Sequence, residues 1–151
     1  MSVDSLDAFL AQSRNLILAG TRANGRPHLT PNWFCWDGKR FYVSTTRDRV
    51  KYALFRRDHR AQLLIDDPAG PRAVLLPATV EIREDAAAEL PRFRAIREKY
   101  GMSVMGDSEH LESLIADGRV LLAITPDGPP ATWTSWGFAH PDSSTKRCAT
   151  C

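Results

Sequence analysis

Two dipeptides, Asn24-Gly25 and Asp37-Gly38, constrain this chain more than any other feature. Both suit a tight primed turn, because Asn, Asp and Gly tolerate positive φ where other side chains clash. Each lies between segments that read as strands. Leu16-Ile-Leu-Ala-Gly-Thr21 is a short apolar run, and residues 27–36 and 40–46 are rich in aromatic and β-branched side chains. Three strands joined by two tight turns make an antiparallel meander.

The remainder alternates strands with short helices. Leu6, Phe9 and Leu10 recur at helical spacing over residues 4–13, with Asp4 or Ser5 as cap. After Thr46 the period changes: Val50, Ala53 and Leu54 mark a helix, and Asp48 is its candidate N-cap. Residues 61–66 and 72–82 read as strands around the loop Asp67-Pro-Ala-Gly-Pro71, with Pro77 placing a bend or a sheet edge in the second. Residues 85–100 read as one helical turn followed by a main helix with Pro91 in its first turn. A third short helix covers 109–116 and closes at Gly118. Strands at 119–125 and 131–138 flank the turn Pro126-Asp-Gly-Pro-Pro130. The count points to a mainly β fold, a barrel of six or seven antiparallel strands with short capping helices, with an open α+β sheet as the alternative. Residues 1–138 form one domain in this reading. Residues 139–151 are polar and are expected to be a flexible tail.

Charge and cysteine content narrow the function. The 20 basic and 18 acidic residues leave a net charge of +2, so any basic site is local and a nucleic-acid-binding surface is not expected. No apolar run is long enough to cross a bilayer, the first residues lack a signal-peptide pattern, and three cysteines do not make a disulfide framework. These features together predict a cytoplasmic protein. Cys35 reads as a small core residue. Cys148 and Cys151 have the spacing of half a zinc site, but the nearest further ligand is His140, and no metal site is expected.

The chemistry concentrates in Tyr42-Val-Ser-Thr-Thr-Arg-Asp-Arg-Val-Lys51. A strand ends here in three hydroxyl residues, Ser44, Thr45 and Thr46, and runs into a basic helix start carrying Arg47, Arg49, Val50 and Lys51. Free helix N-terminal amides, hydroxyls and cations suit an anion such as a phosphate. Read from the residues alone, the same pattern also fits helix capping beside a solvated basic face. Trp33 and Trp36, like Trp133 and Trp136, are three apart, so in strands each pair splits between core and surface or pocket. The four histidines share no spacing that would make a catalytic triad, and His28 is at most a weak proton donor near the candidate ring site.

In order and spacing, Gly25-Arg-Pro-His-Leu-Thr-Pro-Asn-Trp-Phe34, Asp37-Gly38, Phe41-Tyr-Val-Ser-Thr-Thr-Arg-Asp-Arg-Val-Lys51 and Arg56-Arg-Asp58 resemble the pyridoxamine 5′-phosphate oxidase-like split β-barrel family. The branch resembled is that of flavin and deazaflavin oxidoreductases. The resemblance implies a homodimer with two cofactor sites at the subunit interface. It implies a phosphate held by Ser44, Thr45, Thr46, Arg49, Val50 and Lys51, and a ring backed by Pro31, Asn32 and Trp33. Aromatic contacts across the interface would come from Trp133 and Trp136. The implied cofactor is F420, with FMN as the alternative, and the implied activity is transfer of a hydride between the cofactor and a small unsaturated substrate. A flavin or F420 carrier without turnover is the non-enzymatic alternative. Arg56, Arg57 and Arg60 are candidate partners for an oligoglutamate tail. The chain departs from the family pattern in having Leu54 and His59 where Asn and Pro are common.

Overall fold

The computed structural model describes residues 1–139. It is a curled antiparallel sheet, a split barrel, with four helices. The element order is α1 (Val3–Ala11), β1 (Leu16–Thr21), β2 (Pro27–Asn32), β3 (Cys35–Trp36), β4 (Phe41–Thr46), α2 (Val50–Arg57), β5 (Arg60–Asp66), β6 (Ala73–Arg83), α3 (Leu90–Lys99), α4 (Asp107–Ala116), β7 (Arg119–Pro126) and β8 (Thr134–Trp136). The strands run β2-β1-β5-β6-β7-β4-β3, with the three-residue β8 added to β6. Every pairing is antiparallel.

Both expected turns form, with Gly25 at φ +83° and Gly38 at φ +89°. The expected strand over 27–36 divides into β2 and β3, and Trp33 and Phe34 carry the chain from one end of the sheet order to the other. This break accounts for a strand count above the expected six or seven. The segment expected as a strand over 131–138 begins instead as a 3-10 turn, Pro130–Thr132, and only Thr134–Trp136 pairs.

Pro77 does not lie in an edge strand, because β6 lies between β5 and β7. The Pro77 carbonyl accepts from the Asp127 amide at 3.0 Å, so the position of its missing N–H faces the same side. On that side β8 covers Ala73 to Leu75 and β7 begins at Ala78. The proline falls in the gap and breaks no ladder.

The side-chain alternation of β4 and β7 creates two cores. Phe41 and Val43, with Leu122 and Ile124, face the barrel interior, where they meet Leu16, Leu63, Ile65 and Leu76 and the buried face of α1. Tyr42, with Leu121 and Ala123, faces outward and is covered by Phe93 and Ile96 of α3 and Leu114 of α4. A strand buried on both faces needs a continuous apolar run, which Val120-Leu-Leu-Ala-Ile124 supplies. Ser2, not Asp4 or Ser5, caps α1 by accepting from the Ser5 amide.

Candidate functional site

The two helices that cover the outer face of β4 and β7 stop short of its end, and a cleft of about 410 Å³ opens there. Pro31, Asn32 and Trp33 border it where β2 gives way to β3, and Ser44 and Arg119 border it from paired strands. Phe93, Ile96 and Arg97 of α3 and His110, Ser113 and Leu114 of α4 form the opposite wall. The α3–α4 loop is tied down by arginines of α3: Arg94 donates to the Met105 carbonyl at 2.7 Å, and Arg97 donates twice to the Ser103 carbonyl.

Register explains the basic end. Thr46 pairs with Arg119 and Ser44 with Leu121, so Ser44, Thr46 and Arg119 share one face of the sheet. Arg119 Nη1 donates to Ser44 Oγ at 3.3 Å. Lys51, in the first turn of α2, is half-buried, and its Nζ donates to Asn32 Oδ1 at 2.7 Å and to Thr30 Oγ1 at 3.2 Å. The buried Asn32 amide is itself fixed by donating to the Leu16 and Thr30 carbonyls. Burial lowers the Lys51 ammonium, and the positive charges of Arg49 and Arg119 lower it further. Arg49, Lys51 and Arg119 take part in no salt bridge among the described residues. Asp48 faces Arg49 and Arg119 at longer range and is held ionised first by the hydroxyl of Thr46. Arg119 beside the Ser44 hydroxyl, with Lys51 repelled by both Arg119 and Arg49, is the chemistry a phosphate relieves. The residues present therefore fit a phosphate-bearing cofactor.

Not every expected residue gathers here. The N-cap of α2 is Arg49 rather than Asp48, and the helix start has no side-chain cap, which leaves its first amides without a side-chain partner. Thr45 is buried on the barrel side of β4, because adjacent strand residues point to opposite faces. Val50 borders a separate depression with Arg22, Asn24 and Arg57. Trp133 is 6% exposed and packs in the barrel core against Trp36 and Phe41, with Nε1 donating to the Gly128 carbonyl at 3.0 Å. Trp136 is 48% exposed on β8. Each tryptophan pair splits between core and surface. Trp33 stacks on Tyr100 at 4.7 Å and 8° and offers a flat wall. Arg60 is held by Asp58 through two contacts, Arg57 donates to the Thr21 carbonyl, and Arg56 lies over the Tyr52 ring. His28 contacts Arg22 at 2.9 Å, and burial together with Arg22 and Lys51 keeps its imidazole below the usual range. Cys35 is half-buried, as a small core side chain would be, whereas His140, Cys148 and Cys151 lie outside the described residues. No group of three or more potential metal ligands occurs among the described residues. No described helix is long and apolar enough to cross a membrane.

The cleft wall from α3 and α4 was not legible in the sequence. Arg97, His110 and Ser113 lie 46 to 62 residues beyond Lys51, and no local motif ties them to the hydroxyl-rich strand.

A family model described as pyridoxamine 5′-phosphate oxidase matches residues 2–128. The chain belongs to this family. Solved structures agree on the fold. A conserved hypothetical protein of Mycobacterium tuberculosis, Rv2991, superposes with a TM-score of 0.76 at 26% identity, covering 90% of this chain and 84% of that one. An F420 reductase superposes with a TM-score of 0.66 at 22% identity, over 81% of this chain and 93% of that one. The heme storage protein HutZ of Vibrio cholerae reaches 0.70 at 16% identity, over 91% and 97%. The pyridoxamine 5′-phosphate oxidase family thus accounts for the split barrel. A search of curated proteins finds no match.

Proposed function

We propose that this chain is an oxidoreductase that holds a phosphate-bearing flavin or deazaflavin in the cleft, with F420 as the cofactor and a small unsaturated molecule as the substrate. One observation carries the reading: Arg119 donates to Ser44, Lys51 lies within reach of the charges of Arg49 and Arg119, and none of the three has a salt-bridge partner among the described residues. Family membership and the similarity to an F420 reductase support it.

Ser44, Thr46, Arg49 and Lys51 would bind the phosphate, and Pro31, Asn32 and Trp33 would border the ring. Such a cofactor supplies hydride transfer, while the protein supplies binding, orientation and exclusion of water. Lys51 is suited to its part because Asn32 and Thr30 fix its ammonium before any ligand arrives. Tyr100 and Trp33 hold each other parallel, and Tyr100 is further fixed by accepting from the Phe34 amide and donating to the Arg14 carbonyl. We also propose a homodimer with the cofactor at its interface. Leu29, Val50 and Trp136, between 46% and 58% exposed, are apolar surface that a second copy would cover.

Parallel fluorescence titrations of the purified protein with F420 and FMN test this reading. Tighter binding of F420 is expected. Tighter binding of FMN would change the cofactor to FMN, and binding of neither would refute the proposal. A bound, reduced cofactor that no acceptor reoxidises would favour the second reading, a carrier, which the similarity to HutZ supports. Sedimentation should show a dimer; a monomer that binds cofactor normally would refute the interface site.

A further inference from the structure

The α3–α4 wall of the cleft contains a histidine that no interaction within the described chain uses. His110 is 3% exposed and lines the cleft, yet its ring takes part in no hydrogen bond among the described residues. Among those residues the sealed and unpartnered side-chain nitrogen is Arg94 Nε, so the His110 nitrogens retain access to the open space they border. Those nitrogens are free to pair with water or with a ligand that enters the cleft.

The surroundings define what would pair with it. Burial, then Arg97 and Arg94, keep the imidazole below its usual range, with Asp107 opposing them. The ring is therefore neutral near pH 7, with one N–H to donate. Arg97 directs Nε and Nη2 to the Ser103 carbonyl, away from the role of an anion clamp. Ser113 adds a hydroxyl, Phe93, Ile96 and Leu114 add apolar surface, and Asp117 puts a carboxylate at the far end of α4, where an anionic ligand is not favoured. A charged ligand group is better served by Lys51, Arg49 and Arg119. An uncharged, flat molecule with a carbonyl oxygen fits the wall beside His110.

We propose that His110 is a substrate-contacting residue, donating a hydrogen bond to the carbonyl oxygen of an uncharged conjugated acceptor lodged between α3 and α4. This rests on the oxidoreductase reading above and names its substrate class. A hydrogen bond at that oxygen draws electron density from the conjugated carbon and makes it a better hydride acceptor.

The probe is 2-cyclohexenone, titrated into the full chain labelled with 15N-histidine, with and without oxidised F420. The His110 ring resonances are assigned by their loss in His110→Gln. Saturable movement of those resonances is expected, together with about tenfold weaker probe binding in His110→Phe. Probe binding with unmoved His110 resonances, equal affinity in His110→Phe, or no probe binding would each overturn the proposal. Should His110→Phe melt early, the wild-type resonances and His110→Gln affinity decide. F420 affinity is read on the same samples. Intact F420 binding with silent His110 resonances removes only the substrate contact. A responsive His110 without F420 binding supports the contact and removes the cofactor reading.

Discussion

Replacing Lys51 by alanine separates cofactor binding from folding, and the structure sets the size of the effect. An ammonium has three N–H bonds. Asn32 Oδ1 at 2.7 Å and Thr30 Oγ1 at 3.2 Å take two, so one remains for a phosphate oxygen. A single charge-assisted hydrogen bond contributes about 1.5–3 kcal/mol, which corresponds to a Kd raised about 10- to 150-fold. Two effects on the unliganded fold oppose each other. The substitution relieves repulsion from Arg49 and Arg119, and it strips Asn32 Oδ1 of its donor. Because Asn32 borders the cleft, water can take that place, and the stability change should stay under about 1 kcal/mol. The assay is a fluorescence titration of wild type and Lys51→Ala with F420 and FMN, beside thermal melts of both proteins. Added salt should weaken wild-type binding more than binding to the variant. A Kd within twofold of wild type, with the fold intact, would refute the assignment of Lys51 to a phosphate.

Other perturbations probe the framework. A Cβ at Gly20 would stand 2.5 Å from Leu54 Cδ2 and 2.9 Å from Phe55 Cζ, both buried; Gly20→Ala should cost about 1–3 kcal/mol and lower Tm visibly, and an unchanged Tm would show that α2 can shift. Asp67 is held below its ordinary 3.8 chiefly by Arg14 at 2.8 Å. A lowered acid stabilises the fold above its unfolded value and loses that contribution as pH falls through the folded one. Denaturant melts should therefore show wild-type stability falling below about pH 4, and a shallower fall in Asp67→Asn; parallel curves would contradict the pairing. Burial pushes the Cys35 thiol up to about 11. With Cys148 and Cys151 replaced by serine, a thiol reagent at pH 8 should react slowly until guanidinium unfolds the chain, and rapid native labelling would show Cys35 to be open.

Much of the fold was legible because its signals are local. The turns at Gly25 and Gly38, the pause at residues 85–89 before α3, Pro91 in the first turn of that helix and Gly118 at φ +64° each follow from the needs of one residue and its neighbours. The hydroxyl-rich end of β4 running into a basic helix was visible for the same reason. Pro77 sits inside a central strand, which its own neighbours in sequence do not reveal, because its tolerance depends on where β8 ends and β7 begins, and those strands are 40 or more residues away.

By itself, the sequence determined two tight hairpins, though not the single meander expected to join them, the alternation of strands with short helices, and the chemical character of Ser44 to Lys51, since backbone preference and side-chain charge belong to single residues. Tertiary structure decided which of those residues act together. The register of β4 on β7 brings Arg119 to Ser44, β2 delivers Asn32 to Lys51, and alternation turns Thr45 away from the cleft. Packing of α3 and α4 on Tyr42, Leu121 and Ala123 closes the cleft and buries His110 beside it. Such long-range pairing is set by which apolar surfaces bury one another, and no short stretch of chain carries that information.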